Sequence, residues 1–393
     1  MKQINWNKKY LVAVSGGPDS IFLLSQIISN KQFNPKNFIV CHVNYNYRND
    51  SSIDERIVKN ICDQNKIKLE TKILKIDYDN LNVNFESFAR EQRYDFFVKV
   101  QKNNPDFDTV LVAHNLNDLI ETYLIQKERK GIVNYFGLKS ETEYKNLKVV
   151  RPIINIKKSE ILNFLHKGKV EYANDSTNLD DKFLRNKIRK QTNEEEFKKI
   201  VEEINKKNVM LEKNNLTAEK YLRDFSSHNH LKLDGFENLN SNTIQTVIAW
   251  FLIKSQFKET LTNNKKSLVL EIVKISQSKK PFVLIKKQDL VILKDFQDLY
   301  LLEADLLKSE IISIKDENKI SQKWGKKFLE EISELNISKD CFVTNDYFLA
   351  KKMRLENNKK LVKCFSETKT SYYNRVQKRY ILNKNKTIIL YIL

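Results

Sequence analysis

The sequence predicts a doubly wound α/β domain with a parallel sheet, followed by a mainly helical region and a small basic α+β region. Three observations predict it. Short β-branched runs alternate with segments of helical period through the first half of the chain. A loop with two adjacent glycines joins the first run to the first helical segment. Past residue 190 the alternation gives way to a long charged helical stretch and then to short apolar runs. The expected boundaries are 1–190, 191–317 with a small hairpin, and 318–393.

In order, Tyr10–Val14 reads as the first strand, and Ile21, Phe22, Leu24, Ile27 and Ile28 recur at helical spacing behind it. Phe38–Val43 is a second strand, and a helix opens at Ser51-Ser52 with Asp54 and Glu55 suited to its first turn. Leu69–Leu74 is a third strand. The helix Phe85–Gln101 places Phe85, Phe88, Ala89, Phe96 and Val100 near one stripe, with Arg90 and Arg93 about one turn apart. Thr109–Ala113 is a fourth strand and Leu116–Gln126 a helix. Strands alternating with helices pair in parallel, and their ligands sit at the carboxyl ends of the strands, where the loops at Ser15, Arg48 and His114 fall.

Beyond Lys190, Glu194–Phe225 lacks Gly and Pro and carries Phe197, Ile200, Val201, Ile204 and Met210 at helical spacing. Ser226–Asn242 reads as a polar loop and Thr243–Phe257 as an apolar helix. Phe282–Ile285, Leu290–Leu293 and Tyr300–Leu302 read as strands of a small hairpin sheet.

The segment Ser15-Gly16-Gly17-Pro18-Asp19-Ser20 has the ingredients of an anion cradle. Glycines let backbone N–H groups approach a ligand, Ser15 and Ser20 add hydroxyls, and the helix behind offers its positive end. Pro18 suits a first helical turn, and Asp19 either serves a metal or caps the helix. An ordinary strand-to-helix turn uses the same residue types. The loop is not a Walker motif, since no Gly-Lys-Ser/Thr follows, nor a dinucleotide fingerprint, since the third glycine is missing.

Composition narrows the class. Hydrophobic residues at 41% and aromatics at 10% belong to a globular protein. No apolar leader or membrane-length apolar stretch stands out, so a soluble cytoplasmic protein is expected. Cys41, Cys62, Cys341 and Cys364 are scattered, which argues for buried free thiols and against disulfides or a metal cluster. His228 and His230 lack companions at ligand spacing. The net charge of +19 points to a polyanionic partner, although a Lys- and Asn-rich codon bias would raise it too. Its distribution favours a partner, because residues 351–393 hold twelve Lys and Arg against Glu356 and Glu367 alone.

The glycine loop resembles the Ser-Gly-Gly-x-Asp-Ser loop of the PP-loop (N-type) ATP pyrophosphatases. Further blocks follow in order. Ala113-His114-Asn115-Leu116-Asn117-Asp118-Leu119-Ile120-Glu121-Thr122 resembles the Ala-His-His-x-x-Asp-Gln-x-Glu-Thr block of tRNA(Ile)-lysidine synthetases. Ala89-Arg90-Glu91-Gln92-Arg93-Tyr94 resembles their Ala-Arg-x-x-Arg-Tyr helix, and His42 to Arg48 with Ser51 their His-Val-Asp-His-x-x-Arg-x-x-Ser loop. Arg151-Pro152-Ile153-Ile154, Asp175 to Asn178 and Arg185-Asn186-Lys187-Ile188-Arg189 resemble their remaining elements. Asn44, Tyr45, Asn115 and Leu119 replace the usual Asp, His, His and Gln.

The resemblance implies that ATP, with Mg²⁺, adenylates the C2 oxygen of the first anticodon cytidine in a CAU-bearing tRNA(Ile). The amine of L-lysine then displaces AMP to give lysidine. It assigns Ser15, Gly16, Gly17, Pro18, Asp19, Ser20 and His114 to ATP, with Asp19 also the candidate for the metal. Asp19, Asp118 and Arg90 are the catalytic candidates. Arg48, Arg93, Glu121, Arg151, Asn178, Arg185, Asn186 and Arg189 are candidates for the tRNA and lysine. A PP-loop tRNA thiolase and a non-catalytic RNA-binding protein on the same scaffold are the alternatives.

Overall fold

The computed structural model describes residues 4–46, 51–74, 85–129, 132–173, 188, 192–257 and 265–393. The chain divides into two compact units, Met1–Leu211 and Glu212–Leu393. The first holds a six-stranded sheet built from β1 (Tyr10–Ala13), β2 (Phe38–Asn44), β3 (Lys68–Ile73), β4 (Thr109–Leu111), β5 (Glu141–Tyr144) and β6 (Leu147–Val150). Its order is β3-β2-β1-β4-β6-β5, parallel throughout except for the β5–β6 pair. The expected doubly wound sheet is therefore present. The chain runs outward from β1 through β2 to β3 and then returns to the other side of β1 as β4, so the order reverses between β1 and β4. A crevice opens at such a reversal.

The central strands are apolar runs because both faces are covered. Every residue of β2 is buried. On one face Val12 and Val40 pack with Ile21 and Leu24 of α1 (Pro18–Ile28), Ile57 of α2 (Ser51–Gln64), and Ile161 and Leu165 of α5 (Lys158–Lys167). On the other, Leu11, Ile39 and Cys41 pack with Tyr94 and Phe97 of α3 (Phe85–Asn103). The stripe expected on α3 is only partly the buried one: Phe96 and Val100 are buried, Phe88 and Ala89 are half-buried, and Tyr94 and Phe97 reach deepest.

The β5–β6 hairpin escapes a sequence reading. Its turn residues Lys145 and Asn146 both take positive φ, 47° and 68°, which is the two-residue geometry that matches strand twist. A Lys-Asn pair is a weaker turn signal than Asn-Gly, and Glu141-Thr142-Glu143-Tyr144 has little apolar alternation. The hairpin matters because it feeds directly into Arg151.

The helix α4 (Leu116–Arg129) is tied to the long helix Phe197–Phe225 through Glu203. The Tyr123 hydroxyl donates to the Glu203 carboxylate at 2.5 Å, with Lys207 and Lys127 at 3.2 and 3.4 Å. That hydrogen bond, helped by the two ammonium groups, holds the Glu203 carboxyl down at about 2, against 4.5 ordinarily. A depressed carboxyl pKa stabilises the fold above the ordinary value, and the contribution is lost as pH falls from 4.5 toward 2. Glu203→Gln is therefore expected to lower the urea midpoint at pH 7 and to differ less from the parent as pH drops toward 3. An equal difference at both pH values would contradict the assignment.

The second unit contains two five-stranded sheets. The first, ordered β7-β8-β11-β10-β9, uses β7 (Ser226–Ser227), β8 (His230–Lys232), β9 (Phe282–Lys287), β10 (Leu290–Asp295) and β11 (Asp298–Glu303). The helices Ser241–Lys254 and Lys265–Ser276 cover it through Val247, Phe251 and Ile272. The loop expected at Ser226–Asn242 instead supplies two short strands. Leu231 and Leu233 are buried in that core, while the His230 ring bonds Asp298 at 2.7 Å and stacks on Tyr300. The alternation is too short to register as a strand pattern. The second sheet, ordered β12-β13-β15-β16-β14, uses β12 (Ile311–Ser313), β13 (Phe342–Thr344), β14 (Arg354–Leu355), β15 (Tyr380–Leu382) and β16 (Ile388–Ile392).

The four cysteines are free as expected, but Cys364 is half-buried rather than buried. Among the described residues no helix is long and apolar enough to cross a membrane.

Candidate active site

The loop after β1 is held open by its own side chains. Ser20 Oγ accepts from the Ser15 backbone N–H at 3.1 Å, lies 3.2 Å from Ser15 Oγ, and donates to the Gly17 carbonyl at 2.9 Å. Gly17 is the N-cap of α1 and, as a glycine, places no side chain over the first-turn N–H groups, which leaves the positive end of α1 open to an anion. Gly16 takes φ +93°, and a Cβ built there would lie 3.0 Å from Asp54 Cβ and 3.1 Å from Asp54 Cα. Glycine is required at this point by both conformation and space.

Asp19 stands in the first turn of α1. Lys158 Nζ donates to both its carboxylate oxygens at 2.7 Å, and Asn115 Nδ2 donates to Oδ1 at 3.0 Å. Asn115 is also the N-cap of α4. Its Oδ1 accepts from the Asp118 N–H at 3.1 Å, while the Asp118 carboxylate accepts from the Asn115 N–H at 2.9 Å, a reciprocal capping box. Asp118 therefore orients Asn115, and Asn115 orients Asp19.

Arg151 lies under the crevice, 2% exposed. Its guanidinium donates to the Lys139 carbonyl at 2.8 Å, to Thr142 Oγ1 at 3.1 Å and, through Nε, to His114 Nδ1 at 3.3 Å. Burial lowers its pKa, yet a guanidinium does not deprotonate in a protein. His114 Nδ1 must accept, which places the ring proton on Nε2.

Ser15, Asp19, Ser20, Arg93 and His114 line one cavity of about 170 Å³, with Tyr45 and Tyr94 in its wall. Arg90 and Arg151 line a second of about 630 Å³ that shares Tyr94. The Arg90 guanidinium sits 4.6 Å from the Tyr94 ring centre and that of Arg93 5.9 Å away. Glu121 is buried on α4. Arg48, Asn178, Arg185, Asn186 and Arg189 lie outside the described residues.

Each of the four departures from the family pattern has a defined structural place. Asn44 donates to Glu55 at 3.0 Å and accepts from the Asn46 N–H at 2.8 Å. The Tyr45 hydroxyl donates to the Ala89 carbonyl at 3.1 Å, joining β2 to α3. Asn115 is the cap just described, and Leu119 fills the space against Gly137.

Sequence reasoning missed Lys158. Read alone, Lys157-Lys158 looks like two surface cations. They stand at the N-cap and first position of α5, where the helix dipole disfavours positive charge, but that placement comes from the fold and not from the local sequence.

A family profile described as a PP-loop domain matches residues 2–196. The tRNA(Ile)-lysidine synthase of Mycoplasma mycoides subsp. mycoides is 41% identical over 98% of this chain and 97% of its own. That of Mesoplasma florum is 37% identical over 98% of each. A solved U34-tRNA thiolase from Methanococcus maripaludis superposes with a TM-score of 0.44 at 19% identity, covering 52% of this chain and 72% of its own. Fold and crevice together define an ATP-using enzyme of the PP-loop class, with its loop at the β1–β4 reversal. Within that class the chain belongs to the tRNA(Ile)-lysidine synthase family.

Proposed function

We propose that the chain joins L-lysine to C2 of the first anticodon cytidine of a CAU-bearing tRNA(Ile) through an adenylated intermediate. Near-complete alignment with a tRNA(Ile)-lysidine synthase carries this reading. In it, residues 1–190 perform adenylation, 191–317 form a helical second domain with a hairpin sheet, and 318–393 are a basic tRNA-binding domain.

The cytidine oxygen is a weak nucleophile, so positioning must supply much of the rate. Gly16, Gly17 and the start of α1 receive the ATP phosphates, with Ser15 and Ser20 fixing the loop. Negative charge develops on those phosphates as pyrophosphate departs, and preoriented N–H groups lower that barrier. Lys158 adds a cation at the same mouth. Asp19 is a half-exposed carboxylate, and no group of three or more His, Cys, Asp or Glu among the described residues could hold a metal by itself, which suits a Mg²⁺ held mainly by substrate phosphates, whose charge it would neutralise. His114, its proton on Nε2, and Arg93 flank the same cavity and hold the substrate against the loop.

Sulfur transfer is disfavoured at this site. Cys41 is the cysteine that lines the cavity, and burial, then the nearby Glu70 carboxylate, push its thiol far above the ordinary range. A thiolate is the reactive form.

The second step needs lysine as a neutral amine. Arginine stays protonated near neutral pH and is a poor nucleophile. Single-turnover reactions with labelled amino acid are therefore expected to give a lysine adduct that forms faster as pH rises to a plateau, and no arginine adduct. Adenylation of the tRNA, read as pyrophosphate release, should follow a different pH profile, since no amine takes part in it. Equal incorporation of arginine would leave the fold standing and sink the proposed reaction.

A further inference from the structure

In the second unit, Phe296 and Gln297 form the turn between β10 and β11, closed by the Asp295–Asp298 pair. Phe296 takes φ +53°, a conformation that bulky residues seldom adopt, and its side chain gains little from burial, since the residue is 60% exposed. Strained positions of this kind cluster at ligand sites. The Phe296 N–H donates to the Pro281 carbonyl at 2.6 Å, which ties the turn to Lys279-Lys280-Pro281. A cavity of about 620 Å³ opens between the two segments.

The charge of its lining is one-sided. Lys279, Lys280 and Lys294 face it, with Glu237 as the acid. Lys294 is only 5% exposed, and its ammonium donates to the Ser278 carbonyl. Burial pushes its pKa downward, and among the described residues it makes no ion pair. A buried ammonium without a counter-charge favours an anionic occupant. An exposed aromatic face beside cations is the arrangement that holds single-stranded nucleic acid, where bases stack on the ring and phosphates meet the lysines.

We propose that this cavity takes an unpaired nucleotide of the RNA substrate, its base stacked on Phe296 and its phosphate drawn to Lys279, Lys280 and Lys294. The inference rests on the reading of the substrate as tRNA. A paired base has no free face to offer, so the occupant comes from a loop or an end.

The test uses the full chain with an unmodified CAU-bearing tRNA(Ile) transcript, and AMP as a free-nucleotide probe. Phe296→Ala is expected to weaken tRNA binding about 5- to 100-fold at fixed salt, with the salt slope and the rate at saturating tRNA unchanged. Phe296→Trp should bind within about threefold of the parent, and its added emission should be quenched by tRNA and unmoved by millimolar AMP. Lysine-to-alanine changes at 279 and 280 should flatten the salt dependence. Phe296→Ala binding within twofold of the parent, or Phe296→Trp emission unmoved by tRNA, would overturn the proposal. Equal quenching by AMP would do so as well, by assigning the cavity to a free nucleotide. Quenching needs no turnover: a protein that is quenched but adds no lysine keeps the cavity assignment and loses the reaction, and the converse result separates them the other way.

Discussion

Asp19→Ala is expected to reduce tRNA-dependent AMP formation by on the order of 10³-fold or more while tRNA affinity stays within a few-fold. The carboxylate is the acid that the loop, α4 and α5 converge on, through Asn115 and Lys158. Removing it leaves the Lys158 ammonium without its partner and removes the candidate contact to Mg²⁺. Asp19→Asn keeps the volume and a bond to Asn115 but not the charge, and should be nearly as inactive. Both groups of the ion pair are about 31% exposed, so the melting temperature should change little. A rate within tenfold of the parent in single-turnover reactions with labelled ATP would contradict the assignment of the loop.

Gly16→Ala is expected to cost about 10²-fold in the same reaction and to lower the melting temperature by several degrees. Two effects add. A side chain at φ +93° is strained, and its Cβ meets the backbone of Asp54 at 3.1 Å, so α2 must move away from the loop. Gly17→Ala is the internal control. There φ is −73°, and the nearest atom to a new Cβ is Ser15 Oγ at 3.6 Å, ordinary contact. That variant should stay within about tenfold of the parent, because alanine is only a poorer N-cap. If the two variants lose activity equally, the geometric argument for Gly16 fails.

The parallel sheet was legible because its central strands are buried on both faces and so appear as apolar runs between helical periods. The loop was legible because it stands between a strand and a helix and further blocks follow it in order, since its Gly, Ser and Asp alone would also suit an ordinary turn. What stayed hidden depends on contacts distant in sequence. Lys158 meets Asp19 only because α5 returns beside α1, and nothing local in Lys157-Lys158-Ser159 announces that pairing. Asp118 could be read as an acid in a block that resembles the family's, but its capping exchange with Asn115 appears only in three dimensions. Arg151 reads as a candidate tRNA or lysine contact, but its burial, with its guanidinium donating to the Lys139 carbonyl and to Thr142 Oγ1 of β5, appears only in three dimensions. In the second unit the stacking of His230 on Tyr300 depends on a strand nearly seventy residues away.

The measurement that bears most directly on the central claim is the mass of the modified nucleoside. Unmodified CAU-bearing tRNA(Ile) is incubated with the protein, ATP and L-lysine, then digested to nucleosides. The account predicts that the first anticodon cytidine is replaced by a nucleoside heavier by one lysine less one water, with one AMP released for each, and only when ATP and lysine are both present. Unchanged cytidine at that position, or a product that has gained sulfur in place of lysine, would contradict it.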